Sequence, residues 1–391
     1  MSRRTWEAAN QAWLLAALDE VRAALERHAS HAADTVLAPA KPGGAKPKAG
    51  QKREDGEKSS DEKPAGEWPF ERPPALEALA EAFGLSPFER AVVVACAGVE
   101  LSGDFPALCA RASGDPARTA FTFSLALAAL PGPHWTALSP EAPLRHWRLV
   151  EVGPGPALTS SPLRMDERVL HFLVGVPQRD ERLAGVVDAA PPARELAPSH
   201  QELARRIAGT WSHAAAGGDE LPAVQLTGPE AATRRDVAAA ACALLGVRLD
   251  VAASHALPTA AAELESLARL WEREAALQPA ALLVDRGDHD GEPGREDAID
   301  RLVQRIRGPV LVSTRESRPS VHRPVLTFEV ARPGAEERRE VWREALGGDV
   351  GRLRGPRLDA LVHQFNLGPP ASRAACAGAL GRLEAEEGEE E

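Results

Sequence analysis

Leu226-Thr227-Gly228-Pro229-Glu230-Ala231-Ala232-Thr233-Arg234-Arg235-Asp236 is the stretch on which the fold reading turns. An apolar run, Ala223–Thr227, leads into a glycine and then into a helical pattern. A phosphate-binding loop, G-x-x-x-x-G-K-[ST], has this layout. Gly228 holds the first glycine position, Thr233 the second, Arg234 the lysine position and Arg235 the Ser/Thr position. In a working loop, backbone N–H groups wrap the phosphates and lysine adds a point charge. Thr233 lacks glycine's access to left-handed backbone angles. Arg234 keeps the charge but is planar and bulkier than lysine. Arg235 cannot ligate Mg²⁺ as a hydroxyl can. Pro229 removes an N–H, and Glu230 adds negative charge where phosphates would lie. All six lysines lie between Lys41 and Lys63, so no lysine of residues 64–391 can substitute.

Downstream, strand and helix patterns alternate from residue 200 to 330, the signature of a parallel α/β sheet. Strands are expected at Ala223–Thr227, Val247–Val251, Ala280–Val284, Pro309–Ser313 and Val325–Val330. Helices are expected at Thr233–Leu245, Ala260–Ala276 and Asp297–Ile306. Ala280–Val284 is continuously apolar, as in a strand buried on both faces. From Ala335 the pattern is helical: Glu336–Leu346, Arg357–Phe365 and Ala371–Glu384, with an acidic tail from Glu384 to Glu391.

Upstream, residues 70–185 read as a compact helical domain. Pro74–Phe83 is stopped by Gly84. Ser86, Pro87 and Glu89 carry a capping-box signature for the helix Phe88–Val99. Helices over Asp104–Arg111 and Phe121–Leu130 follow. Trp147–Val152 alternates like a strand, Gly153-Pro154-Gly155-Pro156 turns it, and Leu158–Thr159 is the expected return, ahead of a helix over Asp166–Leu173. Helices followed by a two-stranded ribbon suggest a winged helix. Residues 70–190 hold 10 Arg and 14 Asp/Glu, which opposes nucleic-acid binding and favours protein recognition. Residues 5–28 form an amphipathic helix that must pack on its own body or on a partner. Residues 39–67 mix Pro, Gly, Ser and balanced charge, the composition of a linker.

The 391 residues are 44% apolar with a net charge of −11, enough for several cores and a poor match to DNA or anionic membrane. No spanning segment or secretory signal is visible, so a cytoplasmic protein is expected. Cys96, Cys109, Cys242 and Cys376 are widely spaced and read as buried apolar residues. The histidines show no metal-ligand spacing. High Ala, Arg, Pro and Gly without tyrosine match a bacterial high-GC bias.

Taken with Ala281-Leu282-Leu283-Val284-Asp285, Val310-Leu311-Val312-Ser313-Thr314 and Arg323-Pro324-Val325-Leu326-Thr327-Phe328-Glu329-Val330, residues 200–385 resemble an AAA+ ATPase module. Leu85-Ser86-Pro87-Phe88-Glu89-Arg90 and Met165-Asp166-Glu167-Arg168-Val169-Leu170 resemble the winged-helix domain of large bacterial AAA+ proteins, which carry a degenerate ATPase module before an intact one. The resemblance implies a multidomain fold: a helical winged-helix domain, then an α/β P-loop (AAA+-like) parallel-sheet core with a C-terminal helical lid. The implied limits are an N-terminal helix to residue 38, a linker over 39–69, a winged helix over 70–189, a core over 190–330, and a lid and tail over 331–391. It further implies a nucleotide site at Gly228, Thr233, Arg234, Arg235, Asp285 and Thr314. In that comparison Asp285 is the metal-side carboxylate, Arg286 replaces the water-polarising Glu, and Ser313 or Thr314 is the sensor. Arg318 or Arg323 would be a subunit-bridging finger and Arg373 a lid contact. No catalytic residue, cofactor or metal is assigned outright; ATP with Mg²⁺ is the ligand the resemblance implies. The altered loop favours a non-hydrolysing assembly or regulatory platform for protein partners, or for an intact AAA+ subunit in a homo- or hetero-oligomeric ring. The alternatives are an ATP-binding ATPase with a substituted loop, active alone or with an intact partner subunit, and a DNA-binding regulator using the winged helix.

Overall fold

The computed structural model describes residues 5–37, 68–287, 293–317, 324–346 and 356–389. Nearly all of the expected linker, Asp288–Asp290, Arg318, Arg323 and the last two glutamates lie outside them. The chain divides into two compact units, Met1–Arg179 and Asp180–Glu391.

In the first unit, α1 (Trp6–Leu37) runs nine residues past its expected end. It docks on its own unit: Leu14, Ala17, Leu18, Val21, Ala24 and Leu25 are buried, against α3 (Pro87–Leu101) and α4 (Phe105–Ala112). Gly98 of α3 permits the approach, since a Cβ there would fall 2.7 Å from Phe105 and 2.9 Å from Leu18. Asn10 interrupts the apolar face for a reason. Its amide donates to Leu173 O at 2.8 Å, and its Oδ1 accepts from Ala75 N at 2.7 Å, the first residue of α2 (Ala75–Phe83). One buried side chain thereby satisfies two helix ends that carry orphan backbone groups.

Gly84 closes α2 at φ 62, and the Ser86–Glu89 capping box opens α3, both as the sequence requires. After α5 (Phe123–Ala129) and the single turn α6 (Pro143–His146), the ribbon departs from expectation. Its strands are β1 (Val150–Val152) and β2 (Leu163–Met165), ahead of α7 (Glu167–Leu173). Trp147 and Arg148 are not in strand, because Arg148 turns the chain at φ 50. Leu158–Thr159 is not the return strand. Ser160 N and Ser161 N both donate to Ala157 O, so those residues form a turn and pairing starts after it. Glu151 faces Arg164 across the ribbon, which interleaves opposite charges on the wing.

The second unit is a three-layer α/β structure. Its six-stranded sheet runs, from edge to edge, Val187–Ala189, Arg248–Ala253, Ala280–Asp285, Val310–Thr314, Ala223–Thr227 and Val325–Glu329. The strands are β3 (Val187–Ala189), β4 (Ala223–Thr227), β5 (Arg248–Ala253), β6 (Ala280–Asp285), β7 (Val310–Thr314) and β8 (Val325–Glu329). All pair in parallel except β3, which runs antiparallel to β5 and lies before the boundary drawn at residue 190. Alternate residues feed opposite faces. Leu282 and Val284 pack under α10 (Ala261–Leu277) and α11 (Pro293–Arg305). Ala281 and Leu283 pack under α8 (Pro198–Gly217) and α9 (Ala231–Leu244). Helix α8 lies outside the helices expected from the sequence; its buried stripe is Leu203, Ala204, Ile207, Ala208 and Trp211.

Helices α12 (Ala335–Leu346), α13 (Pro356–Gln364) and α14 (Pro369–Glu389) complete the unit around Trp342, Leu346, Leu358, Val362 and Cys376. Most of the acidic tail is thus helical. The four cysteines are free and buried, and burial raises the thiols, Cys109 to about 11 and Cys242 to about 12. No helix among the described residues is long and apolar enough to cross a membrane.

Candidate functional site

In open parallel sheets, ligands bind outside the carboxyl ends of the strands. There the chain brings Gly228, Asp285 and Ser313 together, at the ends of β4, β6 and β7. Gly228 has φ 149, and a Cβ on it would lie 2.3 Å from Val330 O. Only glycine fits, since the strand-end carbonyl occupies the space. The loop is pinned there: Val330 N donates to Thr227 O at 2.7 Å and Gly228 N to Arg315 O at 3.3 Å.

Three loop side chains are turned onto the protein itself. Arg234 is wholly buried; its Nε donates to Ser313 Oγ at 2.8 Å and its Nη1 donates to Gly228 O. The guanidinium therefore closes the loop on itself. Arg235 Nη2 donates to Asp285 Oδ2 at 2.8 Å, and Gly287 N donates to Asp285 Oδ1 at 3.1 Å. Both carboxylate oxygens are engaged, one of them by the Arg235 guanidinium. Thr233 Oγ1 donates to Glu230 Oε2 at 3.1 Å.

The remaining expected residues divide. Thr314 Oγ1 donates to Glu316 O at 3.1 Å, so Ser313 and not Thr314 is the hydroxyl that meets the loop. Side-chain alternation along β7 explains the choice. Arg286 is tied to Glu296 and, at 2.8 Å, to Asp300 of α11. It staples the end of β6 to the next helix. Arg373 Nη2 donates to Glu195 O at 2.7 Å. With Arg194, Glu195, Glu344 and Ala345 it lines a cleft beside α14. Asp236, one residue beyond Arg235, is buried, and burial raises its carboxyl against the pull of Arg194, Arg373, Arg235 and His200.

Glu230 has a role beyond the charge it adds to the loop. Its Oε1 accepts from Gly368 N at 2.8 Å and from Arg332 Nε at 3.2 Å. A carboxylate immediately after Gly-Pro was the visible signal; its partner 138 residues away was not. A second junction involves Glu337 of α12. Its carboxylate accepts from Ser199 N at 2.7 Å and Ser199 Oγ at 2.8 Å, in the first turn of α8. Burial opposes ionisation of Glu337, but these bonds and one from Gly334 N outweigh it, and its carboxyl lies below the ordinary 4.5. A depressed carboxyl stabilises the fold above the unfolded value and loses that contribution as pH falls through the folded one. Glu337→Gln is therefore expected to flatten the acid limb of a stability–pH curve below about pH 4.3, measured by urea unfolding. An unchanged limb would remove the assignment.

Mg·ATP fits this arrangement poorly. The lysine and hydroxyl positions hold arginines already committed to protein partners, Asp285 carries a guanidinium, and Glu230 adds a carboxylate at the loop.

Residues 57–187 match the family model described as "Winged helix domain, variant". Residues 334–391 match that of the "Contractile injection system ATPase helical domain". Among solved structures, one entitled "Structure of Rhizobiales Trip13" is similar at 18% identity and a TM-score of 0.30, over 46% of this chain and 80% of that chain. No curated protein matches the sequence significantly. The chain thus contains a winged-helix segment followed by a mixed, mainly parallel sheet and a helical segment related to an ATPase family.

Proposed function

We propose that this chain is an AAA+-like protein with a degenerate nucleotide site, acting as a non-hydrolysing assembly or regulatory platform for protein partners. The observation that carries the reading is the 2.8 Å pair between Arg235 and Asp285. A metal-side carboxylate held by an arginine from the loop's own hydroxyl position cannot also hold Mg²⁺. Arg234, bonded to Ser313 and Gly228, supports the same conclusion. The match of residues 334–391 supports an ATPase-related setting, with an intact AAA+ subunit of a contractile injection system as the partner class. Interleaved charge on the wing supports a protein partner over nucleic acid.

Titration with a fluorescent ATP analogue and Mg²⁺ tests the reading. No saturable binding below the millimolar range and no phosphate release are expected. Sub-micromolar binding with turnover abolished by Asp285→Asn would overturn it in favour of an active ATPase with a substituted loop.

A further inference from the structure

We propose that the Glu230 carboxylate is a built-in ligand that latches α14 to the phosphate-loop position, so that this helix is held on the sheet without any nucleotide. The proposal rests on the reading that the loop does not take Mg·ATP, and it assigns the loop a mechanical task.

Glu230 lies between β4 and α9 and gathers donors from three places. Thr233 Oγ1 comes from the loop's own helix at 3.1 Å, Arg332 Nε from the segment after β8 at 3.2 Å, and Gly368 N from the entry to α14 at 2.8 Å. The carboxylate is mostly buried, at 19% exposure. The anion thus sits where a helix start concentrates positive potential and unpaired N–H groups.

The α14 side is shaped to receive it. Pro369 and Pro370 carry no N–H, so the first turn offers few backbone donors, and Gly368 supplies one. Gly368 O in turn accepts from Ser372 N at 2.9 Å, so the residue starts the helix while holding the carboxylate. A Cβ on Gly368 would lie 1.9 Å from Glu230 Oε2 and 2.6 Å from Cδ. Only glycine admits the carboxylate at this distance. A glutamate in the phosphate loop and the Gly-Pro-Pro entry to the last helix are thus halves of one contact.

Other contacts hold the same unit together: Ser199 with Glu337 joins α8 to α12, and Arg373 of α14 bonds Glu195 O. The core that α12, α13 and α14 share is separate from the loop, so losing Glu230 removes the tie between the loop and Gly368 and leaves that core in place. Hydrogen exchange with mass spectrometry on the full chain tests it. Glu230→Ala is expected to speed exchange of peptides spanning residues 365–376 about tenfold, the factor for losing a charge-assisted hydrogen bond. Peptides of α3 and of β6 should be unchanged. Gly368→Ala drives a Cβ into the Glu230 carboxylate and displaces it from the entry to α14, so it should reproduce the effect. Unchanged exchange in both variants overturns the latch. Acceleration throughout the second unit in both also overturns it, because Glu230 would then be a general determinant of folding. Adding Mg·ATP to the parent chain separates this failure from that of the site reading. Tight nucleotide binding sinks the site reading whatever the exchange shows. Insensitive exchange sinks the latch while the site reading stands.

Discussion

Arg273→Ala is expected to lower the unfolding free energy of the α/β unit by about 3 kcal/mol, the lower end of the range for breaking a buried ion pair. Arg273, on α10, is wholly buried and bonds the Asp180 carboxylate, itself 4% exposed. Arg182 also grips Asp180 through Nε and Nη2, both at 2.9 Å. Burial raises the Asp180 carboxyl, but the bonds from Arg182 and the charge of Arg273 together hold it below its ordinary value. Because Arg182 remains in the variant, the carboxylate is not left wholly uncompensated, and the loss stays near the lower bound. The cost should be local in its first expression. Asp180 opens the turn that feeds β3, the antiparallel edge strand, so β3 loosens before the parallel strands do. Urea unfolding gives the magnitude, and hydrogen exchange in β3 and α10 gives the location. Asp180→Leu with Arg273→Met should recover most of the loss, since removing both charges avoids the uncompensated one. A single variant within about 0.5 kcal/mol of the parent, as at an ordinary surface site, would show that the pair is not structural.

The legible parts of this fold were those governed by local rules. The Ser86–Glu89 box, the Gly84 stop and the apolar run Ala280–Val284 each specify an element without help from elsewhere. The segments that resisted reading depend on distant partners. Val187–Ala189 is three residues long and becomes a strand only because β5 lies beside it. Leu158–Thr159 has strand composition, yet the carbonyl of Ala157 draws Ser160 and Ser161 into a turn and the return strand forms later, at Leu163–Met165. At the candidate site, residue types in order were enough to gather Gly228, Arg234, Arg235 and Asp285. They could not say where the guanidiniums point. An arginine at a lysine position can reach outward to an anion or inward to a carbonyl, and only tertiary geometry decides.

That geometry makes Arg234 the site's most exacting residue, and restoring the residue of a working loop should harm the protein. Arg234→Lys is expected to cost about 1.5–3 kcal/mol, one charge-assisted hydrogen bond, and to bring no ATP binding. The planar fork bonds Ser313 Oγ and Gly228 O at once, in a pocket with no exposure. An ammonium is a single compact centre on a flexible stem and cannot span both acceptors with the same fixed geometry. Arg234→Ala should cost more, about 3–6 kcal/mol, because two acceptors are orphaned and a large buried side chain is deleted. Changing all three positions, with Thr233→Gly, Arg234→Lys and Arg235→Ser, removes the Asp285 counter-ion as well. The triple variant should therefore be less stable than Arg234→Lys alone, while Glu230 still fills the loop. Urea unfolding and an ATP-analogue titration on the same samples decide the matter. If Arg234→Lys or the triple variant kept the parent's stability and bound ATP with Mg²⁺, the inward guanidiniums would be replaceable fillers of an otherwise intact nucleotide site. Loss of stability without binding means that the arginines are part of the core and that their contacts hold the loop shut.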